Sequence, residues 1–166
     1  MAPGLRSWLF EKGSLTRRLV ADCGGRFSLR LVGSALGPPL PDERRALKLP
    51  VGRSALVRQV YLLCDGRPLI FARSVFPLRS LRGKNRRLTR LGSRPLAGLL
   101  FGHRPAGRDP LEVAALSPGH PLHALACQDL APSPMGTLWA RRSVFYPARK
   151  PVLVTEVFFP EIAWLR

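Results

Sequence analysis

The sequence predicts an α+β fold, a mainly antiparallel sheet with flanking helices in a single domain over 1–166. Three observations carry this. Two pairs of strand-like runs, each pair joined by a short turn, fall at 55–77 and 138–159. Helical spacing is confined to short segments, the clearest within 5–22. A length of 166 residues with 46% apolar composition suits one domain with a real core rather than a disordered chain.

In chain order, Trp8, Leu9, Leu15, Leu19 and Val20 recur at roughly helical spacing. They predict two short helices broken at Gly13, with Ser14 as N-cap of the second. FSLRLV, 27–32, alternates like a strand, and 36–50 reads as an irregular Pro-rich connection. ALVRQVYLLC and RPLIFARSVFP flank Asp65-Gly66, a type I′ hairpin signal. A basic loop follows, then a helix that Ser93 would cap, with Leu96 in its first turn. Residues 103–135 are rich in Pro, Gly and His and carry no clear period. LWARRSVFY, the loop PARK and PVLVTEVFF form a second hairpin.

Charge and composition narrow the function. Lys and Arg number 27 against 10 Asp and Glu, a net charge of +17, which first raises nucleic-acid binding. The basic residues are dispersed, however, and the dense stretch from Arg79 to Arg90 lacks the aromatics that stack on bases. A solvated basic surface that attracts small anions is the preferred reading. No apolar run approaches the ~18 residues that span a bilayer. The N-terminus lacks a signal-peptide pattern, and Cys23, Cys64 and Cys127 are sparse, which predicts reduced thiols in the cytoplasm.

The hairpin registers point to a site. A two-residue turn at Asp65-Gly66 sets Cys64 opposite Arg67 and Arg58 opposite Arg73. Two arginines side by side on an apolar face need acids or an anionic ligand. In the second hairpin, Glu156 shares a face with Val152, Val154 and Phe158 and opposes Arg141. Two readings of Glu156 stand open: a structural salt bridge, or a carboxylate lining an apolar, Arg-containing pocket. The first-turn N–H groups near Leu15 and Leu96 lack helical partners and suit anions. His120, His123 and Cys127 have a possible metal spacing, but Pro121 and the missing fourth ligand favour loop residues. GxGxxG, P-loop and GxSxG patterns are absent.

SWLFEKGSLTRRL, the first hairpin, LGSRPLAGLLF and ARRSVFYPARKPVLVTEVFFP together resemble the chorismate pyruvate-lyase family. That resemblance implies an antiparallel sheet with an internal ligand cavity under helical flaps. It implies elimination of pyruvate from chorismate to give 4-hydroxybenzoate for ubiquinone synthesis, without metal or organic cofactor. By motif, Arg58 would bind the ring carboxylate, the N–H groups of Leu15 and Leu96 would help hold the ligand, and Glu156 would meet the ring hydroxyl. Arg73 is expected to take the second carboxylate of chorismate, since the register sets it beside Arg58. Leu15 stands where a family member has Met, and Ala72 where it has Gly. Chorismate and 4-hydroxybenzoate are the expected partners of a monomer that neither binds nucleic acid nor inserts stably in a membrane. The rival readings are a non-catalytic effector-type domain of the same fold and an RNA-associated basic protein. Only a few residues precede SWLFEKG, so no DNA-binding module is expected ahead of the domain.

Overall fold

The computed structural model describes residues 3–165. Its centre is a seven-stranded antiparallel sheet. The strands are β1 (Phe27–Gly37), β2 (Ala55–Cys64), β3 (Arg67–Pro77), β4 (Gly107–Arg108), β5 (Glu112–Leu116), β6 (Leu138–Tyr146) and β7 (Val152–Phe158). Their spatial order is β1-β2-β3-β7-β6-β4, and β5 also pairs with β6. Both predicted hairpins form, and Asp65 and Gly66 take positive φ, as a type I′ turn requires.

The helices are α1 (Pro3–Leu9), α2 (Leu15–Cys23), α3 (Pro41–Ala46), α4 (Ala97–Leu100) and α5 (Pro121–Cys127). Ser14 caps α2 as expected, accepting from the Arg17 N–H at 3.2 Å. Three segments differ from the sequence reading. The connection 36–50 contains α3, started by Pro41 at its first turn and closed by Glu43 bonding back to the Leu40 N–H at 2.8 Å. The helix after Ser93 begins later and is four residues long, with Leu96 rather than Ser93 at its N-cap position. Residues 120–127 are not a loop: Pro121 opens α5, and His120 caps it by accepting from the Leu122 N–H.

Helices cover both faces of the sheet. On the front, α1 and α2 pack Leu5, Trp8, Leu9 and Leu19 against Leu62, Ile70 and Phe158. A second front cluster joins Leu96 and Leu100 to Phe76, Phe145 and Val154. On the back, α5 packs Leu122 and Ala126 on Tyr61, Phe71 and Val157. Cys23 and Cys64 form a disulfide, Cα–Cα 5.7 Å, so the expectation of three reduced thiols is corrected. Folding brings the two together across 41 residues, and only Cys127 is free.

The first hairpin also departs from its predicted register. Cys64 opposes Arg67 as expected, but the register shifts beyond Leu62, which pairs with Ile70 while Leu63 pairs with Pro68. The bulge inserts one residue, so Arg58 faces Ser74 and Arg73 faces Gln59. Arg73 therefore lies on the back face, away from Arg58. There it grips buried Glu43 of α3 at 2.7 and 3.1 Å and Gln59 at 2.9 Å. The expected place of Arg73 beside Arg58, ready for a second carboxylate, is thus corrected: its charge is already neutralised.

Losing one partner of a buried ion pair leaves the other charge stranded. Glu43→Ala or Arg73→Ala should each cost about 3–5 kcal/mol in urea unfolding. The joint replacement Glu43→Leu with Arg73→Met should recover most of that loss, because no unpaired charge is left behind.

Candidate active site

Between the two front clusters the sheet presents polar residues. One cross-strand row runs Val60, Ala72, Glu156, Arg141, and the next runs Arg58, Ser74, Val154, Ser143. Alternation along each strand sends all of these to one face. Over them lie the first turn of α2, from Ser14 to Thr16, and the segment Pro95–Phe101. Together they line a pocket whose wall includes Arg58, Arg141, Glu156, Leu15 and Leu96.

Arg58 comes from the middle of β2 and is 3% exposed. Its Nη2 donates to the carbonyls of Gly92 at 2.9 Å and Arg94 at 2.8 Å. Its Nε is buried with no partner, and no carboxylate pairs with it among the described residues. Burial pushes its guanidinium pKa down from the usual range. A buried cation satisfied only by two carbonyls is costly unless an anion joins it.

Glu156 and Arg141 face each other across β6 and β7, as the sequence register predicts. Arg141 Nε donates to Glu156 Oε2 at 2.7 Å. Arg141 Nη1 also bonds the carbonyls of Trp8, Leu9 and Glu11, the last at 2.6 Å. The two readings of Glu156 therefore coincide: it forms the salt bridge and lines the pocket. Arg141 was legible only as that partner; its grip on the end of α1 has no local signal in the sequence.

Sequence reasoning missed Arg108. It leads into the same region from β4, opposite Phe145, with its guanidinium 4.9 Å from the centre of the Phe145 ring. Phe145 belongs to the pocket wall. Burial first, then neighbouring Arg141, lowers the Arg108 pKa, while Glu156 opposes the shift. The stretch that holds it, GHRPAGRDP, has no period from which a strand could be read. His123 and Cys127 lie elsewhere, on α5. His123 bonds the Gly136 carbonyl at 2.9 Å, and no metal-binding cluster of His, Cys, Asp or Glu occurs among the described residues.

A family model described as chorismate lyase matches residues 1–166. The chain belongs to the chorismate lyase family. Among curated relatives, a probable chorismate pyruvate-lyase of Methylococcus capsulatus is 43% identical, with 95% of this chain and 96% of that protein covered. One from Halorhodospira halophila is 48% identical, over 96% of this chain and 83% of the relative. Among solved structures, the effector domain of PhnF from Mycobacterium smegmatis aligns with a TM-score of 0.62 at 14% identity, covering 92% of this chain and 91% of that one. The ligand-binding domain of a putative GntR-family regulator from Bordetella bronchiseptica gives 0.57 at 20% identity, over 82% and 86%. At such identities the likeness is one of fold alone. The chorismate lyase family membership rests on the sequence relatives.

Arg141→Met should detach the end of α1 and leave Glu156 unpaired, at a cost of about 3–5 kcal/mol in urea unfolding. Faster amide hydrogen exchange over residues 8–12 should accompany it. Glu156→Gln keeps the three carbonyl bonds to Arg141 and should cost clearly less.

Proposed function

We propose that the protein is a chorismate pyruvate-lyase, which eliminates pyruvate from chorismate and leaves 4-hydroxybenzoate, a precursor for ubiquinone. One observation carries the reading. A single pocket holds a buried arginine without an acid and a carboxylate already fixed by another arginine. Chorismate presents the complementary pair, a ring carboxylate at C1 and a hydroxyl at C4 across the ring. Arg58 takes the carboxylate, with the backbone N–H groups of Leu15 and Leu96 beside it. Glu156 has Oε2 committed to Arg141, and its Oε1 accepts the C4 hydroxyl. The enzyme works in this reading as a cytoplasmic monomer without a cofactor.

Aromatisation needs loss of the C4 hydrogen and of the C3 ether. Among the described residues of the pocket wall Glu156 is the one acid, and no His, Lys, Cys or Tyr joins it. With Glu156 bonded to the hydroxyl, the wall supplies no separate base for the C4 hydrogen. The reading therefore favours transfer within the substrate. The hydrogen passes from C4 to the enolpyruvyl methylene as the C3–O bond breaks. The C4–H electrons complete the ring's third double bond, the C3–O electrons become the carbonyl of pyruvate, and the methylene π electrons bind the hydrogen. The protein contributes a fixed conformation and placed charges.

The fold shared with effector domains raises one alternative, a domain that binds aromatic anions without chemistry. Chorismate carrying deuterium at C4 tests both points. The expected result is 4-hydroxybenzoate in the ultraviolet spectrum and deuterium in the methyl group of pyruvate. Folded protein that binds 4-hydroxybenzoate without turnover would favour the effector reading. Deuterium lost to solvent would reject internal transfer and make Glu156 the base.

A further inference from the structure

Chorismate carries a second carboxylate, on the enolpyruvyl group at C3. With C1 at Arg58 and C4 at Glu156, that group falls at the Glu156 end of the pocket. A dianion there needs a cation that is not already in use. Arg141 is fully engaged by Glu156 and three carbonyls. Arg73 is on the other face, held by Glu43.

Arg108 is differently placed. Its strand pairs with β6 so that Arg108 stands opposite Phe145, on the pocket face of the sheet. Its Nε donates to Ser143 Oγ at 3.0 Å and its Nη1 to the Lys12 carbonyl at 3.2 Å. Its Nη2 has no protein acceptor, and no carboxylate pairs with it, among the described residues. Ser143 lies one strand from Val154, in the same row as Arg58. Arg58 therefore stands at one end of this row, and Arg108 abuts its other end through Ser143, with the pocket residues Ser74 and Val154 between them. Glu156 offsets only part of the cost of holding a half-buried guanidinium near Arg141, and an anion arriving from outside would offset the rest. Its bond to Lys12 also anchors the loop just before α2, whose first turn covers the pocket.

We infer that Arg108 is a substrate-binding residue that pairs with the enolpyruvyl carboxylate of chorismate and thereby separates substrate from product. The inference rests on the lyase reading above. Once the C3–O bond breaks, pyruvate takes that carboxylate away. 4-Hydroxybenzoate keeps only the contacts at Arg58, Glu156 and the two backbone amides, and Arg108 returns to its protein partners.

The test compares two ligands on Arg108→Gln. A charge-assisted contact of about 1.5–3 kcal/mol corresponds to roughly a 10- to 150-fold effect. The KM for chorismate should rise by that factor, while the Kd for 4-hydroxybenzoate, measured by calorimetry, stays within about twofold of wild type. Arg108→Lys keeps the charge and should recover part of the chorismate affinity. Equal losses for both ligands would mean that Arg108 only anchors the 10–14 loop, and so would an unchanged KM; each overturns the assignment. Wild-type protein that binds 4-hydroxybenzoate but does not turn over chorismate overturns the lyase reading, and this assignment with it.

Discussion

The architecture around the pocket depends on Arg141. One guanidinium bonds Glu156 on the neighbouring strand and three carbonyls at the end of α1. The Trp8 carbonyl also accepts from the Glu11 N–H at 3.3 Å, while a cation beside the Leu9 and Glu11 carbonyls satisfies acceptors at the helix end and meets its negative pole. The same side chain thereby aims Glu156, closes α1 and sets the path of the chain into Ser14 and α2. At its other end α2 is tied to β2 by the Cys23–Cys64 disulfide. The helix over the pocket is thus fixed at both ends to the sheet that carries Arg58 and Glu156.

Three buried arginines and the half-buried Arg108 divide by what satisfies them. Arg73 has Glu43, and Arg141 has Glu156. Arg58 has only carbonyls and an unpartnered Nε, and Arg108 has only a hydroxyl and a carbonyl. In a fold selected for stability alone, the fully buried Arg58 would be paired or replaced by an apolar group of similar size. Its surroundings deepen the positive potential. No Asp or Glu occurs between Asp65 and Asp109, the stretch that supplies the carbonyls facing Arg58 and the cover at Leu96. A net charge of +17 adds a positive field that favours small anions near such a pocket.

The fold class, both hairpins, the Ser14 cap and the Arg141–Glu156 pairing were legible because each rests on local signals: period-2 alternation, turn residues and capping chemistry. What was lost depended on longer-range facts. Counting pairs back from Asp65-Gly66 assumes an unbroken ladder, and one extra residue near Leu69 moves Arg73 to the opposite face. Pro68 was the available cue, since proline inside a strand is confined to edges and bulges. The Cys23–Cys64 bond had no cue, because the two lie 41 residues apart and meet only when α2 packs on β2. Nor had Arg108, which belongs to a two-residue strand in a Pro- and Gly-rich segment. It became visible only through its neighbours Phe145, Ser143 and Glu156.

The likeness to regulator effector domains separates scaffold from chemistry. A sheet with helices over its pocket face, and a pocket between two apolar clusters, suits any small ligand that brings its own charge. For binding alone, one cation opposite the ligand's carboxylate would suffice. Elimination asks for more: the ring must be held at C1 and C4 while the group at C3 is kept in one conformation. That demands fixed contacts on both sides of the bond that breaks. In the proposed reading Arg58 and Glu156 fix the ring, and Glu156 is free to do so because Arg141 holds only one of its oxygens. Arg108 would then fix the departing group. On that reading, what a lyase needs beyond a binding domain is a second fixed contact at the far end of the pocket, on the other side of the bond that breaks.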